Sequence, residues 1–221
     1  MNNSPKYIYL SYFLDHSTPL YGGGKGISIS PDRSILNGDT ANTKQLSLHN
    51  HSGTHIDFPN HFFENGNTSE NYNADFWIFK KPFMVYRNAE ENEIFCLTDN
   101  EMKCIPYDID FLIIKTGFGN FRGEEKYWKF NPGFAPIFAT RLRENFQNLK
   151  VIGMDFISLT SYQNRELGRE AHRMFLGGDR PILLIEDMDL SKIKNSPKSI
   201  SCLPLLVNGI DGAPVTIIAS I

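Results

Sequence analysis

Four of the chain's six histidines fall within thirteen residues: His49 and, just after it, three in a stretch that also contains an aspartate, His51-Ser-Gly-Thr-His55-Ile-Asp57-Phe-Pro-Asn-His61. Imidazole nitrogens and carboxylate oxygens are the ligands that borderline divalent metals accept. The spacing tests how they could converge. On a helix His51 and His55 share a face, but Asp57 points about 160° away from His55. On an extended strand positions 51, 53, 55 and 57 all face one way, and Gly53 leaves open space between the two imidazoles. The strand reading therefore predicts three ligands on one face, with Pro59 ending regular pairing and turning His61 back over the site. An isolated histidine is more often a hydrogen-bonded core or surface residue. Three ligand-type residues on one strand face favour a metal site instead. His49 reads as a neighbour or surface residue, and His16 has no companion.

The elements that must position this stretch are those of a mixed α/β chain. Apolar, β-rich runs predict strands over 7–13, 26–30, 46–51, 83–86, 111–116, 151–154, 181–185 and 215–219. The continuous runs Phe111-Leu-Ile-Ile114 and Ile182-Leu-Leu-Ile185 suit strands buried on both faces. Asp211-Gly212 reads as a turn between the last two strands. Helices are predicted over 136–147, where Phe138, Leu142 and Phe146 recur every four residues, and over 165–176, where Leu167, Ala171, Met174 and Phe175 form a stripe that Gly177-Gly178 ends. The N-terminal half is largely β, the C-terminal half alternates strand and helix, and residues 65–73, rich in Asn, read as a surface loop.

Composition narrows the function. The chain has 221 residues, 41% hydrophobic and 21% charged, as expected of one globular domain over 1–221 rather than a disordered chain. A formal net charge of −3 gives no footprint for nucleic acid. No apolar run reaches the roughly 18 residues that span a bilayer, so no membrane partner is expected. The polar start and the interruption of the next apolar run by Ser11 and Asp15 make a poor signal peptide. Three widely spaced cysteines do not form a disulfide framework and suit a reducing cytoplasm. No Gly-x-Ser-x-Gly elbow or phosphate loop occurs, and Gly22–Gly26 reads as a loop near a pocket mouth.

The stretch His51 to His61 matches the H-x-G-T-H-x-D-x-P-x-H signature, and by it the chain resembles the cyclase family of metal-dependent hydrolases, which includes bacterial kynurenine formamidase and isatin hydrolase. Further segments resemble the family: Leu10-Ser11 with Thr18–Tyr21, Asp110–Gly119, Gly153-Met-Asp155 with Ser158, His172, Glu186–Leu190, and Gly212-Ala-Pro-Val215. The resemblance implies a swivelling β/β/α domain and commonly a homodimer or homotetramer. It implies that His51, His55 and Asp57 hold a first metal, that His172 and Glu186 complete a second with Glu186 bridging, that His61 is the catalytic acid/base, and that Tyr21 lies against the substrate ring. From the residues alone, His172 would be a core-edge histidine, Glu186 a strand-end carboxylate needing a partner, and Asp155 a strand-end cap.

Such a site supplies a net positive, partly dry environment for the oxyanion formed when water adds to a carbonyl. A bound divalent cation, zinc or manganese, brings the pKa of water from about 15.7 towards 7, and an unligated His61 could move protons between that water and a departing nitrogen. The expected activity is hydrolysis of a small amide, in the manner of an N-formyl amidase. Two alternatives stand beside it: a mononuclear cyclic-amide (lactam) hydrolase using His51, His55 and Asp57 alone, and a non-catalytic metal- or ligand-binding protein. Structural zinc sites are usually closed by four protein ligands, often cysteines, which disfavours the last.

Overall fold

The computed structural model describes residues 6–221; residues 1–5, within the polar N-terminal stretch, lie outside the described residues. The strands are β1 (Tyr7–Tyr9), β2 (Ile27–Arg33), β3 (Thr43–Leu48), β4 (His55–Asp57), β5 (Ile78–Phe79), β6 (Pro82–Tyr86), β7 (Ile94–Phe95), β8 (Phe111–Lys115), β9 (Gly133–Phe134), β10 (Val151–Met154), β11 (Leu183–Glu186), β12 (Ser199–Pro204) and β13 (Gly212–Ser220). The helices are α1 (Asp99–Lys103), α2 (Lys126–Lys129), α3 (Ile137–Asn145) and α4 (Arg165–Leu176). Nine strands form one mixed sheet in the order β5-β12-β13-β4-β11-β10-β8-β6, with β1 also on β13. The α/β expectation holds.

The sheet has two halves that meet at β4. On one side β6, β8, β10 and β11 run parallel. Phe111–Ile114, Val151–Met154 and Leu183–Glu186 are buried throughout, as the continuous apolar runs require of strands covered on both faces. On the other side β13 and β12 pair antiparallel. The short β4 joins them, antiparallel to both β11 and β13. Its alternation sends Ile56 into the core and turns His55 and Asp57 to the opposite face. Glu186 is the cross-strand partner of His55, and Gly212 that of Asp57.

Helix α3 buries Phe138, Ala139 and Leu142, close to the expected stripe. Helix α4 has the expected bounds, but its inward face is rotated: Gly168, Ala171, His172, Phe175 and Leu176 are buried, whereas Leu167 is exposed. Thr160 stands where a side chain at 168 would be, so the helix closes onto the 158–161 loop and His172 turns inward. The Arg143 guanidinium donates to the Met174 and Phe175 carbonyls at the end of α4, tying the two helices together. Residues 65–73 form a loop with one 3-10 turn.

Two expectations are corrected. The chain from 51 to 54 is a turn, not a strand, and Gly53 takes φ +66°, a left-handed conformation suited to glycine. A Cβ there would meet Leu14 rather than the imidazoles. The last hairpin turns through residues 205–211 rather than at Asp211-Gly212 alone: Asp211 is the last residue of that connection, and Gly212 already lies in β13.

Candidate metal centre and active-site cleft

A cavity of about 550 Å³ opens above the end of β4. His51, His55, Asp57, His61, His172, Glu186 and Tyr21 all line it, so the expected metal ligands, acid/base and ring contact share one cleft. They come from six places: the turn at Tyr21, the 51–54 turn, β4, the 3-10 turn Pro59–His61, α4 and the end of β11.

Two histidines are tied back by their Nδ1 atoms. His55 Nδ1 lies 2.8 Å from the Gly53 carbonyl, and His172 Nδ1 lies 2.9 Å from the Gly168 carbonyl, so both nitrogens donate. In a neutral imidazole the Nε2 atoms then carry lone pairs. His55 Nε2 faces Asp57 Oδ1 at 3.4 Å and Glu186 Oε2 at 3.5 Å. His172 Nε2 faces Asp57 Oδ2 at 3.5 Å and Glu186 Oε1 at 3.4 Å. Lone pairs and carboxylate oxygens turned on one another in a buried site call for positive charge between them. A divalent cation fits this donor set. His51, His55 and Asp57 offer ligand atoms all within 4.8 Å of one another, as do Asp57, His172 and Glu186. Asp57 belongs to both sets, one oxygen towards each. Glu186 also faces both histidines, its Oε1 accepting from the Leu159 N–H at 2.7 Å and the Ser158 hydroxyl at 3.1 Å.

The carboxylates and imidazoles also shift one another's pKa values. Burial alone would depress the His51 pKa, but hydrogen bonds with Asp211 and Asp57 outweigh it and hold it up at about 10. Burial likewise opposes protonation of His172, yet its bonds to Asp57 and Glu186 raise it to about 9. His55 is raised against its burial by Asp57. Asp57 is buried, which favours its neutral form, but its bonds to His172 and His51 hold its pKa well below the usual carboxylate range.

Asp211 was not legible as a site residue. Its Oδ2 lies 2.9 Å from His51 Nε2 and 2.9 Å from His61 Nδ1, and its Oδ1 accepts from Asn50 at 2.7 Å. Its bond to His51, ahead of that to His61, lowers its pKa. The carboxylate fixes the His61 ring through Nδ1 and leaves Nε2 to the cleft. His61 stands 4.1 Å from the His51 ring, ring centre to ring centre, and is partly exposed. Gly212, in the closing segment that resembles the family, makes room for a ligand: a Cβ there would come within 2.3 Å of the His51 ring, which occupies the space beside it. Asp155 proves to be a cap, its buried carboxylate accepting from the backbone of Thr116 and Gly117.

Fold and donor set together describe a hydrolase-type cleft suited to a divalent cation. The chain belongs to the cyclase family, whose model, described as "Putative cyclase", matches residues 8–160. Among curated relatives it is 27% identical to cyclase-like protein 1 of Arabidopsis thaliana over 82% of this chain and 70% of that protein. It is 22% identical to kynurenine formamidase of Bacillus cereus over 95% of both chains. Two further Arabidopsis cyclase-like proteins are matched over 66% of their length, so the chain spans about two thirds of these plant relatives. Among solved structures, isatin hydrolase A from Labrenzia aggregata shares the fold with a TM-score of 0.79 and 18% identity, covering 96% of this chain and 92% of that one. No helix among the described residues is long and apolar enough to cross a membrane.

Proposed function

We propose that the protein is a metal-dependent hydrolase of a small amide, with an open-chain N-formyl or acyl amide as its substrate class. One observation carries the reading: two buried imidazoles, each fixed by a backbone carbonyl, point their free nitrogens at two shared carboxylates beneath an open cleft. The kynurenine formamidase relative, aligned over 95% of both chains, supports the amide.

His51, His55 and Asp57 would hold a first cation, and Asp57, His172 and Glu186 a second. Zinc or manganese suits the set, since histidine and carboxylate discriminate weakly between them. Such a cation supplies Lewis acidity and makes water acidic enough to react near neutral pH. The chain's own residues do the rest. His61, held by Asp211, takes a proton at Nε2 and returns it to the departing nitrogen. Tyr21, its ring edge-on to Tyr162, forms the wall against the acyl or aryl group. The protein works as a homodimer or homotetramer in the cytoplasm, a reading supported by a hairpin exposed on both faces (β2 with β3) and by three unpaired cysteines.

A mononuclear lactam hydrolase is the second reading, favoured by one observation: Glu186 Oε1 is already engaged by Leu159 and Ser158. Elemental mass spectrometry of protein purified without chelator, with assays on formanilide and a lactam, tests both. About two metals per chain and formanilide hydrolysis are expected. One metal, unaffected by Glu186→Ala, would favour the lactam reading, and none after incubation with zinc or manganese would end the enzyme reading. In His61→Ala, metal content should hold while turnover falls by roughly two orders of magnitude.

A further inference from the structure

One cluster of donors at the cleft lies outside both cation sets. His51, His61 and Asp211 each offer a ligand atom, and the three atoms lie within 4.8 Å of one another. Asp211 Oδ2 is 2.9 Å from His51 Nε2 and 2.9 Å from His61 Nδ1. Donor atoms bound to a tetrahedral zinc at about 2.0 Å stand about 3.3 Å apart, so these contacts have to open only slightly to admit one. Asn50 donates to Asp211 Oδ1 at 2.7 Å, which keeps Oδ2 turned to the two rings.

This cluster shares His51 with the inner donors and differs from them in depth. The side chains of His51, His61 and Asp211 are 22, 31 and 35% exposed, whereas those of His55, Asp57, His172 and Glu186 are 5% exposed or less. It is an outer position, open to a cation from solvent and to the waters that would complete its shell. Two imidazoles and one carboxylate hold zinc more tightly than manganese, which stands lowest in the affinity order of the divalent first-row metals.

Occupation has a chemical consequence. A neutral imidazole has one lone pair to give. When His61 gives Nδ1 to a cation, its hydrogen sits on Nε2, the atom left to the cleft, and the ring can no longer take a proton there. His51 meets the same limit, because its Nδ1 faces Asp57 Oδ1 at 2.9 Å while its Nε2 faces Asp211. A ring that turns its lone pair outward keeps its hydrogen on Nδ1, donates it to Asp57 and leaves the inner cation to His55 and Asp57, loosened but not lost.

We propose that His51, His61 and Asp211 form an outer, inhibitory zinc site at the mouth of the cleft, whose occupation takes the acid/base out of the reaction. The inhibition rests on the amide-hydrolase reading; the zinc site rests on the three side chains alone.

Equilibrium dialysis against rising free zinc, read by elemental mass spectrometry, tests the site without turnover. The wild type should take up one zinc per chain beyond its inner complement, more weakly held. Asp211→Asn and His61→Ala should keep the inner complement, which shows that both variants are folded, and should lack the further zinc. A wild type that saturates at the inner complement, or a further zinc that survives both substitutions, overturns the site. Turnover of formanilide by the zinc-loaded wild type is the second readout. Excess zinc should lower it by roughly two orders of magnitude, towards the rate of His61→Ala. Dialysis of the excess should restore it, and the same concentration of added manganese should leave it unchanged. A further zinc that depends on both residues yet leaves wild-type turnover intact overturns the inhibition. If the wild type hydrolyses neither formanilide nor a lactam at any zinc concentration while the further zinc still depends on Asp211 and His61, the amide-hydrolase reading fails and the outer site stands.

Discussion

At the scale of single residues, Asp211 links the two jobs of the site. One oxygen holds both His51, beside the metal-type donors, and His61, beside the open cleft. A carboxylate that orients a ligand or base is commonly worth 10- to 100-fold in affinity or activity. Asp211→Asn keeps the shape but can no longer accept from two imidazoles with full charge. Turnover should fall by roughly 10- to 100-fold, with the change concentrated in kcat, and steady-state kinetics that match the wild type would rule out its hold on His61. Gly212 is tested differently. Its added Cβ in Gly212→Ala would collide with the His51 ring at 2.3 Å, and backbone paired on β4 cannot easily yield. Metal per chain should drop, and full occupancy in a folded Gly212→Ala protein would show that His51 is not needed to hold metal. Asp211 read only as a turn, and Gly212 only as part of that turn and of the closing family segment. Asp211 lies 160 positions from His51 in sequence, and Asp-Gly is the commonest spelling of a turn.

At the scale of elements, the site depends on how strand β11 ends. Glu186 is followed by Asp187, which adopts φ +53°, a left-handed conformation uncommon for a residue with a side chain. It is pinned by Arg122, whose Nε and Nη2 donate at 2.8 and 2.7 Å, and by the Tyr127 hydroxyl at 2.6 Å. Thr54, next to His55, donates to its carbonyl. The arrangement turns the chain sharply just after Glu186 and couples that turn to the neighbouring histidine. Removing the cation from a buried pair leaves an uncompensated charge, so Arg122→Met should cost roughly 3 kcal/mol, read as a shifted urea midpoint; a midpoint within a few tenths of wild type would refute this anchor. The elements themselves were legible in proportion to their apolar pattern. Strand β10 and helix α4 appear at their expected bounds because unbroken apolar runs and a clear stop define them. Strand β4 was found only through its ligands, since His-Ile-Asp carries no apolar run. The left-handed turn at Gly53 was misread because glycine as a spacer and glycine as a bend are spelled alike. The rotation of α4 was hidden because Gly168 and His172, its inward residues, score as polar or neutral, while Leu167 points to solvent.

At the scale of the whole molecule, two features tie assembly and metal to stability. A cation that binds only the folded site stabilises by mass action, about 2.7 kcal/mol at a hundredfold excess over Kd. Chelation should lower Tm and added zinc or manganese restore it, whereas a Tm indifferent to both would mean no such site forms. The second feature is the β2–β3 hairpin. Only Ile27 in it is buried, the cross-strand pair Ile29 and Leu46 stands partly in water, and Leu36 near its tip is 97% exposed. A two-stranded hairpin is marginally stable by itself in water, and an apolar ribbon left open invites association. Its base leads directly into His49, Asn50 and His51, and the His49 N–H donates to the Gly26 carbonyl at 2.9 Å. Covering the hairpin with a second copy would therefore steady the turn that presents His51. Light scattering should give a dimer or tetramer, and Ile29→Lys with Leu46→Lys should shift it towards monomer and lower metal occupancy together. A wild-type monomer at working concentration whose hairpin resists proteolysis would refute the link, because the ribbon would then be holding its shape, and the site beside it, without a partner.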